Sequence, residues 1–220
     1  MRALITQREA VDAHGEWVDI LEARYVTYFA GMGITVRPVP NNMPNLERLL
    51  EDEKFDGLIL TGGGDVPDEF FDSPHKGRTQ SHRDRTEKRL VDFCLREKRP
   101  ILGICRGMQY LNGLWGGRVS ALNNLKVERP IGKDHPVDVD GELWWVNQYH
   151  NDGIYTWKLA EGLKPLAIDW ENQVVEAFTA EKEQVLAMQW HPERPFSTEE
   201  ARRKTAELIR TFFKLGENIE

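Results

Sequence analysis

The chain has 220 residues, a net charge of −7, 40% hydrophobic residues and 10% aromatic residues. At ~100–200 residues per domain this predicts a single domain over 1–220 with a real core. The balance excludes a disordered chain and a uniformly basic nucleic-acid surface, and no apolar run approaches the ~20 residues of a membrane span. Cys94 and Cys105 are the two cysteines, with no CxxC and no zinc-finger Cys/His spacing, so neither a disulfide framework nor a structural zinc is called for. Its first residues lack the apolar core and cleavage site of a secretion signal, so a cytoplasmic protein is expected.

In chain order, Ala3–Thr6 is predicted as a strand. Trp17, Ile20, Leu21, Tyr25, Tyr28 and Phe29 recur at helical spacing and predict a helix over Trp17–Ala30, ended by Gly31 and Gly33. Thr35–Val39 reads as a strand, Leu46–Glu53 as a short helix and Gly57–Thr61 as a third strand. Arg83–Lys98 follows as a helix with Leu90, Val91, Phe93 and Cys94 inward, stopped before Pro100. Ile101–Ile104 is a wholly apolar strand and Gly107–Leu114 a helix. This alternation predicts an α/β fold with a central, mostly parallel sheet flanked by helices.

The second half changes character. Leu143–Val146, Leu166–Asp169, Val174–Phe178 and Val185–Gln189 predict a smaller antiparallel elaboration. A last helix is predicted over Ser197–Leu215, with Ser197 as its N-cap. Trp144 and Trp145 are adjacent in a strand and must point to opposite faces, so at most one lines a pocket.

The sequence Gly103-Ile104-Cys105-Arg106-Gly107 runs from an apolar strand straight into a helix. This is the Gly-x-nucleophile-x-Gly elbow with cysteine as nucleophile. A sharp strand-to-helix turn strains the nucleophile's backbone, and the glycines remove side chains that would crowd it. The helix N-terminus favours a thiolate and a developing oxyanion. Cys94, within the apolar face of a charged helix, reads as core.

A thiol nucleophile needs a base, and the base needs an acceptor to orient it. Of His14, His75, His82, His135, His150 and His191, the last ends an apolar strand and has Glu193 two residues on. That places the ring at the C-terminal edge of the sheet, where open α/β sheets gather their sites. Glu193 would accept the Nδ1 proton and leave Nε2 facing the sulfur.

Taken together, Gly-Ile-Cys105-Arg-Gly-Met-Gln109 and Met-Gln-Trp-His191-Pro-Glu193 resemble the class I (triad) glutamine amidotransferase superfamily, which has a flavodoxin-like fold. Within it the chain is most similar to the γ-glutamyl-γ-aminobutyrate hydrolase group. The resemblance implies that Cys105 attacks a γ-glutamyl amide carbonyl, with His191 as base then acid and Glu193 orienting it. A γ-glutamyl thioester would form, an amine leave and water release glutamate, with neither cofactor nor metal. The oxyanion hole would combine the Arg106 N–H with Gly63 and Gly64 of Thr61-Gly-Gly-Gly64-Asp65. No Gly-Lys-Ser/Thr follows those glycines, so they are not a phosphate-binding P-loop.

The same resemblance suggests Gln109, His150, Asn151 and Asp152 as the glutamyl pocket, although Gln148 and Asp152 depart from the usual pattern. His150 is equally readable as a structural hydrogen-bonding group. His82-Arg83-Asp84-Arg85-Thr86-Glu87 looks like the family's Arg-Asp-x-x-Glu stretch, with a solvated, charged helix start as the preferred reading. Arg8, with Arg83 or Arg85, is a candidate for a phosphate on the leaving group, as in γ-glutamyl nucleoside diphosphoramidates.

Two activities share this chemistry: a stand-alone hydrolase of a γ-glutamyl amide such as γ-glutamyl-GABA, and a glutaminase subunit that passes ammonia to a synthetase partner. The long Asp65–Gln80 loop and Arg-Gly-Met-Gln after Cys105 favour the hydrolase. A binding module with a dead site is disfavoured by the intact Cys105, His191 and Glu193. Nucleic acid and membrane are not expected partners, and the resemblance allows a homodimer.

Overall fold

A computed structural model describes residues 1–52, 54–74 and 80–216. His75, Glu53 and part of the Asp65–Gln80 loop lie outside the described residues. The chain begins with β1 (Arg2–Ile5), followed by a hairpin of β2 (Arg8–Val11) and β3 (Trp17–Ile20). Then come α1 (Ala23–Gly31), β4 (Thr35–Pro38), α2 (Leu46–Asp52), β5 (Gly57–Leu60), α3 (Ser81–Arg96), β6 (Ile101–Ile104) and α4 (Arg106–Leu114). The second half adds β7 (Ser120–Ala121), β8 (Asp134–Val139), β9 (Glu142–Asn147), β10 (Asp152–Tyr155), β11 (Leu163–Asp169), β12 (Val174–Ala180), β13 (Val185–Met188) and α5 (Glu199–Phe212).

The main sheet runs in the order β4-β1-β5-β6-β13-β12-β11-β8-β9, with β10 on β12 and β7 on β10. Pairings from β4 through β13 are parallel, and those beyond β13 are antiparallel. The predicted parallel centre with a smaller antiparallel elaboration is therefore the observed one. Successive side chains of the central strands feed opposite faces, as the strand period of two requires. Leu58, Leu60 and Ile101 pack with Leu90, Val91, Cys94 and Met108, whereas Ile59, Leu102 and Ile104 pack with Phe29 and Ile209. The two faces are thus covered by α2, α3 and α4 on one side and α1 and α5 on the other. Among the described residues, no helix is long and apolar enough to cross a membrane.

One predicted element is corrected, and β8 is a strand the pattern did not predict. The helix expected over Trp17–Ala30 is a strand followed by a shorter helix. Trp17–Ile20 pairs antiparallel with Arg8–Val11, in the register Val11 with Trp17 and Arg8 with Ile20. The turn between them carries Gly15 at φ +83, and the Asp12 carboxylate accepts from the N–H groups of His14 (2.8 Å) and Glu16 (3.0 Å). Turn chemistry and cross-strand pairing override the helical spacing here. Likewise β8 was hidden by Asp134, Pro136 and Asp138, although His135, Val137 and Val139 turn inward on the alternate positions.

The last helix starts one residue later than its predicted cap. Thr198, not Ser197, is the N-cap, and its Oγ1 accepts from the Ala201 N–H at 3.2 Å. Ser197 instead gives its backbone N–H to the Asp134 carboxylate at 2.7 Å. Thr198→Ala should lower stability by about 1 kcal/mol in denaturant titration, the ordinary value of such a cap. Ser197→Ala keeps its backbone bond and should leave stability unchanged.

Candidate active site

The elbow is local chemistry imposed by the sheet. Cys105 has φ +53 and ψ −107, outside the left-handed well that a side chain tolerates best. Its N–H is tied to the Met188 carbonyl at 2.8 Å, so the turn is anchored to β13. A Cβ on Gly103 would sit 3.0 Å from the Gly107 backbone, and one on Gly107 would run into the Leu60 carbonyl. Both flanking glycines are therefore required by close packing of strand, turn and helix.

The parallel register then brings in the histidine expected to serve as base. Met188 lies opposite Ile104, so the chain leaving β13 passes Cys105 at the C-terminal edge of the sheet and reaches His191. Asn147 fixes the backbone there: its amide donates to the His191 carbonyl at 2.8 Å and accepts the His191 N–H at 2.9 Å. The ring gives its Nδ1 proton to the Glu193 carboxylate at 2.6 Å, with the Tyr25 hydroxyl 3.5 Å from the same nitrogen. Tyr149 meets the ring edge-on at 5.8 Å between centroids, and a Cβ on Gly62 would lie 2.6 Å from its Cε1. His191 is thus boxed in on several sides, with 3% exposure.

Electrostatics at this pair is unequal. Burial works against a charged His191, but the charge and hydrogen bond of Cys105, followed by Glu193, outweigh it and push the imidazole up to about 10. Cys94 is the contrasting thiol: it is fully buried, and desolvation pushes it up to about 12. The prediction that Cys94 is core is met.

A cavity of about 190 Å³ opens over Cys105, lined by Gly63, Gly64, Asp65, Arg106, Gln109, Tyr149, His150, Asn151, Asp152, His191 and Arg194. Most of the residues predicted for the site meet there. Arg8 and Glu193 are the exceptions: Arg8 packs its Cδ against Gly63, and Glu193 reaches the site through Nδ1 of His191. The Gln109 amide donates to the Asp152 carbonyl at 2.9 Å and to Gln189 Oε1 at 3.2 Å. His150 donates Nδ1–H to that same carbonyl at 2.9 Å, so it is both a structural hydrogen-bonding group and a wall of the cavity. Behind it, Glu176 lies 3.8 Å from His150 Nε2 and 3.5 Å from His135 Nε2. Burial lowers His150 and raises Glu176, which favours a neutral ring with its proton on Nδ1.

The expected solvated start of α3 is not found. Arg83 and Glu87 are fully buried, and Asp84 and Glu87 both bond the side chain of Arg106, itself 1% exposed. Arg83 therefore has no free face for a phosphate. Burial opposes an ionised Glu87, but Arg106 and Arg83 overcome it and hold the carboxyl below its ordinary range. At Asp84 desolvation prevails over Arg106 and raises the carboxyl to about 6. Glu9, from the unforeseen hairpin, accepts the N–H groups of His82 and Arg83 at 3.2 and 3.3 Å, satisfying the first turn of α3 from outside the helix. The signal for this burial was present in the spacing: residues 83, 87, 90 and 94 share one helical stripe with the core.

Residues 2–193 match the peptidase C26 family. The chain belongs to that family. A glutamine amidotransferase-like protein of Lactococcus lactis is 32% identical over 206 residues, covering 84% of this chain and 85% of the relative. The γ-glutamyl-CDP-amidate hydrolase of Campylobacter jejuni is 36% identical over 137 residues, 62% of either chain. The crystal structure of a GMP synthase subunit from Thermoplasma acidophilum shares the fold, with a TM-score of 0.66 over 97% of this chain and 93% of that one at 22% identity. As a C26 member the protein is a cysteine-type hydrolase of the glutamine amidotransferase-like group. In this C26 chain the thiol that meets a histidine is Cys105.

Since the charge on Cys105 is the largest influence raising His191, its removal should lower that imidazole. NMR titration of the ring should place the His191 midpoint well below that of the wild type in Cys105→Ala. An unchanged midpoint would mean that the two side chains do not interact.

Proposed function

We propose that the protein cleaves a γ-glutamyl amide through a γ-glutamyl thioester on Cys105, releasing glutamate and a free amine. The observation that carries this reading is the convergence of Cys105, His191 and the glycine-loop backbone on one cavity, with Glu193 bonded to the far nitrogen of the His191 ring. Cys105 gives its thiol proton to His191 Nε2, and its sulfur attacks the γ-carbonyl carbon to form a C–S bond. The negative charge that develops on the carbonyl oxygen is taken by the N–H of Arg106 and by those of Gly63 and Gly64. The C–N bond then breaks as His191 delivers its Nε2 proton to the leaving nitrogen. Water attacks the thioester, His191 takes a proton from it, the C–S bond breaks and glutamate departs. Glu193 keeps Nδ1 protonated throughout.

Gln109, His150, Asn151 and Asp152 are proposed to hold the glutamyl group, because they line the wall beyond the sulfur. The leaving group is proposed to lie toward the glycine loop, where the Arg8 side chain packs on Gly63 with no carboxylate partner among the described residues. A guanidinium in that place suits an anionic leaving group such as a nucleoside diphosphoramidate. Similarity to the Campylobacter γ-glutamyl-CDP-amidate hydrolase supports the same choice.

Glutamate release should be measured on glutamine, γ-glutamyl-GABA and a γ-glutamyl nucleoside diphosphoramidate. Rapid release from the diphosphoramidate, absent in Cys105→Ala, is expected. Arg8→Ala should raise KM for that substrate about tenfold, the worth of one charged hydrogen bond, and leave γ-glutamyl-GABA unaffected. Glu193→Gln should cost less activity than His191→Ala, because orientation is weakened while the base remains. Turnover of glutamine alone, or of nothing until a synthetase is added, would overturn the hydrolase reading.

A further inference from the structure

The side chain of Arg83 sits beneath the glycine loop, sealed from solvent, and most of its donors are spent on that loop's carbonyl oxygens. Nη1 donates to the carbonyl of Gly63 at 2.6 Å and to that of Gly62 at 3.3 Å. Nη2 donates to the carbonyl of Thr61 at 2.6 Å and to its hydroxyl at 3.1 Å. Nε goes to Glu87 Oε1 at 2.8 Å. Charged groups are rarely this deep unless paired, and a single pair with Glu87 would have sufficed. Three successive backbone carbonyls gathered on one guanidinium is a geometric arrangement with a consequence for the other side of the loop.

In a trans peptide the C=O and the following N–H point in opposite directions. The described chain has no cis peptide bond. Carbonyls of Gly62 and Gly63 drawn down onto Arg83 therefore turn the N–H groups of Gly63 and Gly64 up, toward the cavity those residues line. Neither N–H has an acceptor among the described residues. The N–H paired with the Thr61 carbonyl, that of Gly62, is instead taken by the Tyr25 hydroxyl at 3.0 Å. Positive φ values of +82 and +75 at Gly63 and Gly64 let the loop adopt this course.

The same network reaches the other half of the hole. Glu87 bonds Arg83 through one oxygen and Arg106 through the other, and it accepts from the Thr6 hydroxyl at 2.7 Å. The Arg106 side chain also donates to the Asp65 carbonyl at 3.1 Å, just after the glycines. We propose that Arg83 is a positioning residue that aims the Gly63 and Gly64 N–H groups at the reacting oxygen, with Glu87 locking it to Arg106. This inference rests on the reading of the site as an acyl-transfer centre. It assigns Arg83 no contact with substrate.

Arg83→Lys keeps the charge but replaces a planar fork with a single point donor that cannot span three carbonyls. In that variant kcat for γ-glutamyl amide hydrolysis should fall about 10²–10³-fold, the loss of one oxyanion donor, with KM within about threefold. Alkylation of Cys105 by iodoacetamide, which needs the sulfur and His191 but no oxyanion hole, should stay near the wild-type rate. Glu87→Gln leaves Arg83 on its carbonyls and should lose less. A folded Arg83→Lys enzyme with unchanged kcat would overturn the proposal, and so would parallel losses of kcat and alkylation. Equal losses in the two variants would also overturn it.

Amide hydrogen exchange in the wild type gives a test that needs neither turnover nor a stable variant. The Gly62 amide should be protected by Tyr25, and those of Gly63 and Gly64 should exchange freely into the cavity. Protection of Gly63 and Gly64 would overturn the assignment of Arg83 even if hydrolysis is found. Free exchange without any hydrolysis would leave the loop geometry standing and remove the proposed reaction.

Discussion

The strained backbone of Cys105 is the constraint from which the rest of the site follows. A side-chain-bearing residue at φ +53 and ψ −107 costs on the order of 1–3 kcal/mol and persists only where its surroundings leave no alternative. Here the surroundings are specific. β6 is buried along its whole length, the Cys105 N–H is held by β13, and the glycines two residues before and after pack against backbone. Relaxing the turn would mean separating β6 from both its neighbours, β5 and β13. The strain is thereby fixed by the sheet, and it leaves the sulfur standing at the sheet's edge with the first N–H groups of α4 beside it.

Placing a histidine against that sulfur is a problem of register. Because β6 and β13 are parallel and adjacent, their C-terminal ends finish side by side, so a histidine just past β13 arrives next to a cysteine just past β6. Asn147 on β9 then secures the His191 backbone from the antiparallel half of the sheet. This gives the second half of the chain its purpose in the site: it supplies the wall that carries His150 and Asp152 and the clamp on the turn after β13. The two flanks of the cavity differ in character. Under the glycine loop lies an ionised network of Arg83, Glu87, Arg106 and Asp84, whereas the opposite flank holds neutral His150 backed by Glu176. Buried ion pairs of this kind are weak evidence for stability, since desolvation offsets most of their attraction. Their value is in fixed geometry, and the geometry they fix is that of the loop and of α4.

Much of this was legible in the sequence. The parallel centre declared itself through wholly apolar Gly57–Leu60 and Ile101–Ile104, and the elbow through its paired glycines. The meeting of Cys105 with His191 was legible because the pattern located the ends of the two strands that these residues follow. What the sequence concealed was pairing through space. Trp17–Ile20 carries helical spacing yet is held as a strand by a partner and a turn that periodicity does not register. Arg83, Asp84 and Glu87 look like the solvated start of a helix, and they are buried because Arg106 arrives from another element to meet them. Their registration with Leu90 and Cys94 was the one local sign. Tyr25, Asn147 and Glu176 gave none, because each acts on a residue far away in the chain.

The central claim is that Cys105 carries the glutamyl group during turnover. Rapid acid quench of the enzyme with a γ-glutamyl amide, followed by peptide mass spectrometry, tests it most directly. The account predicts a transient glutamyl adduct on the peptide bearing Cys105, formed and lost at rates that support kcat. Glutamate released at full rate while Cys105 stays unmodified at every quench time would contradict it.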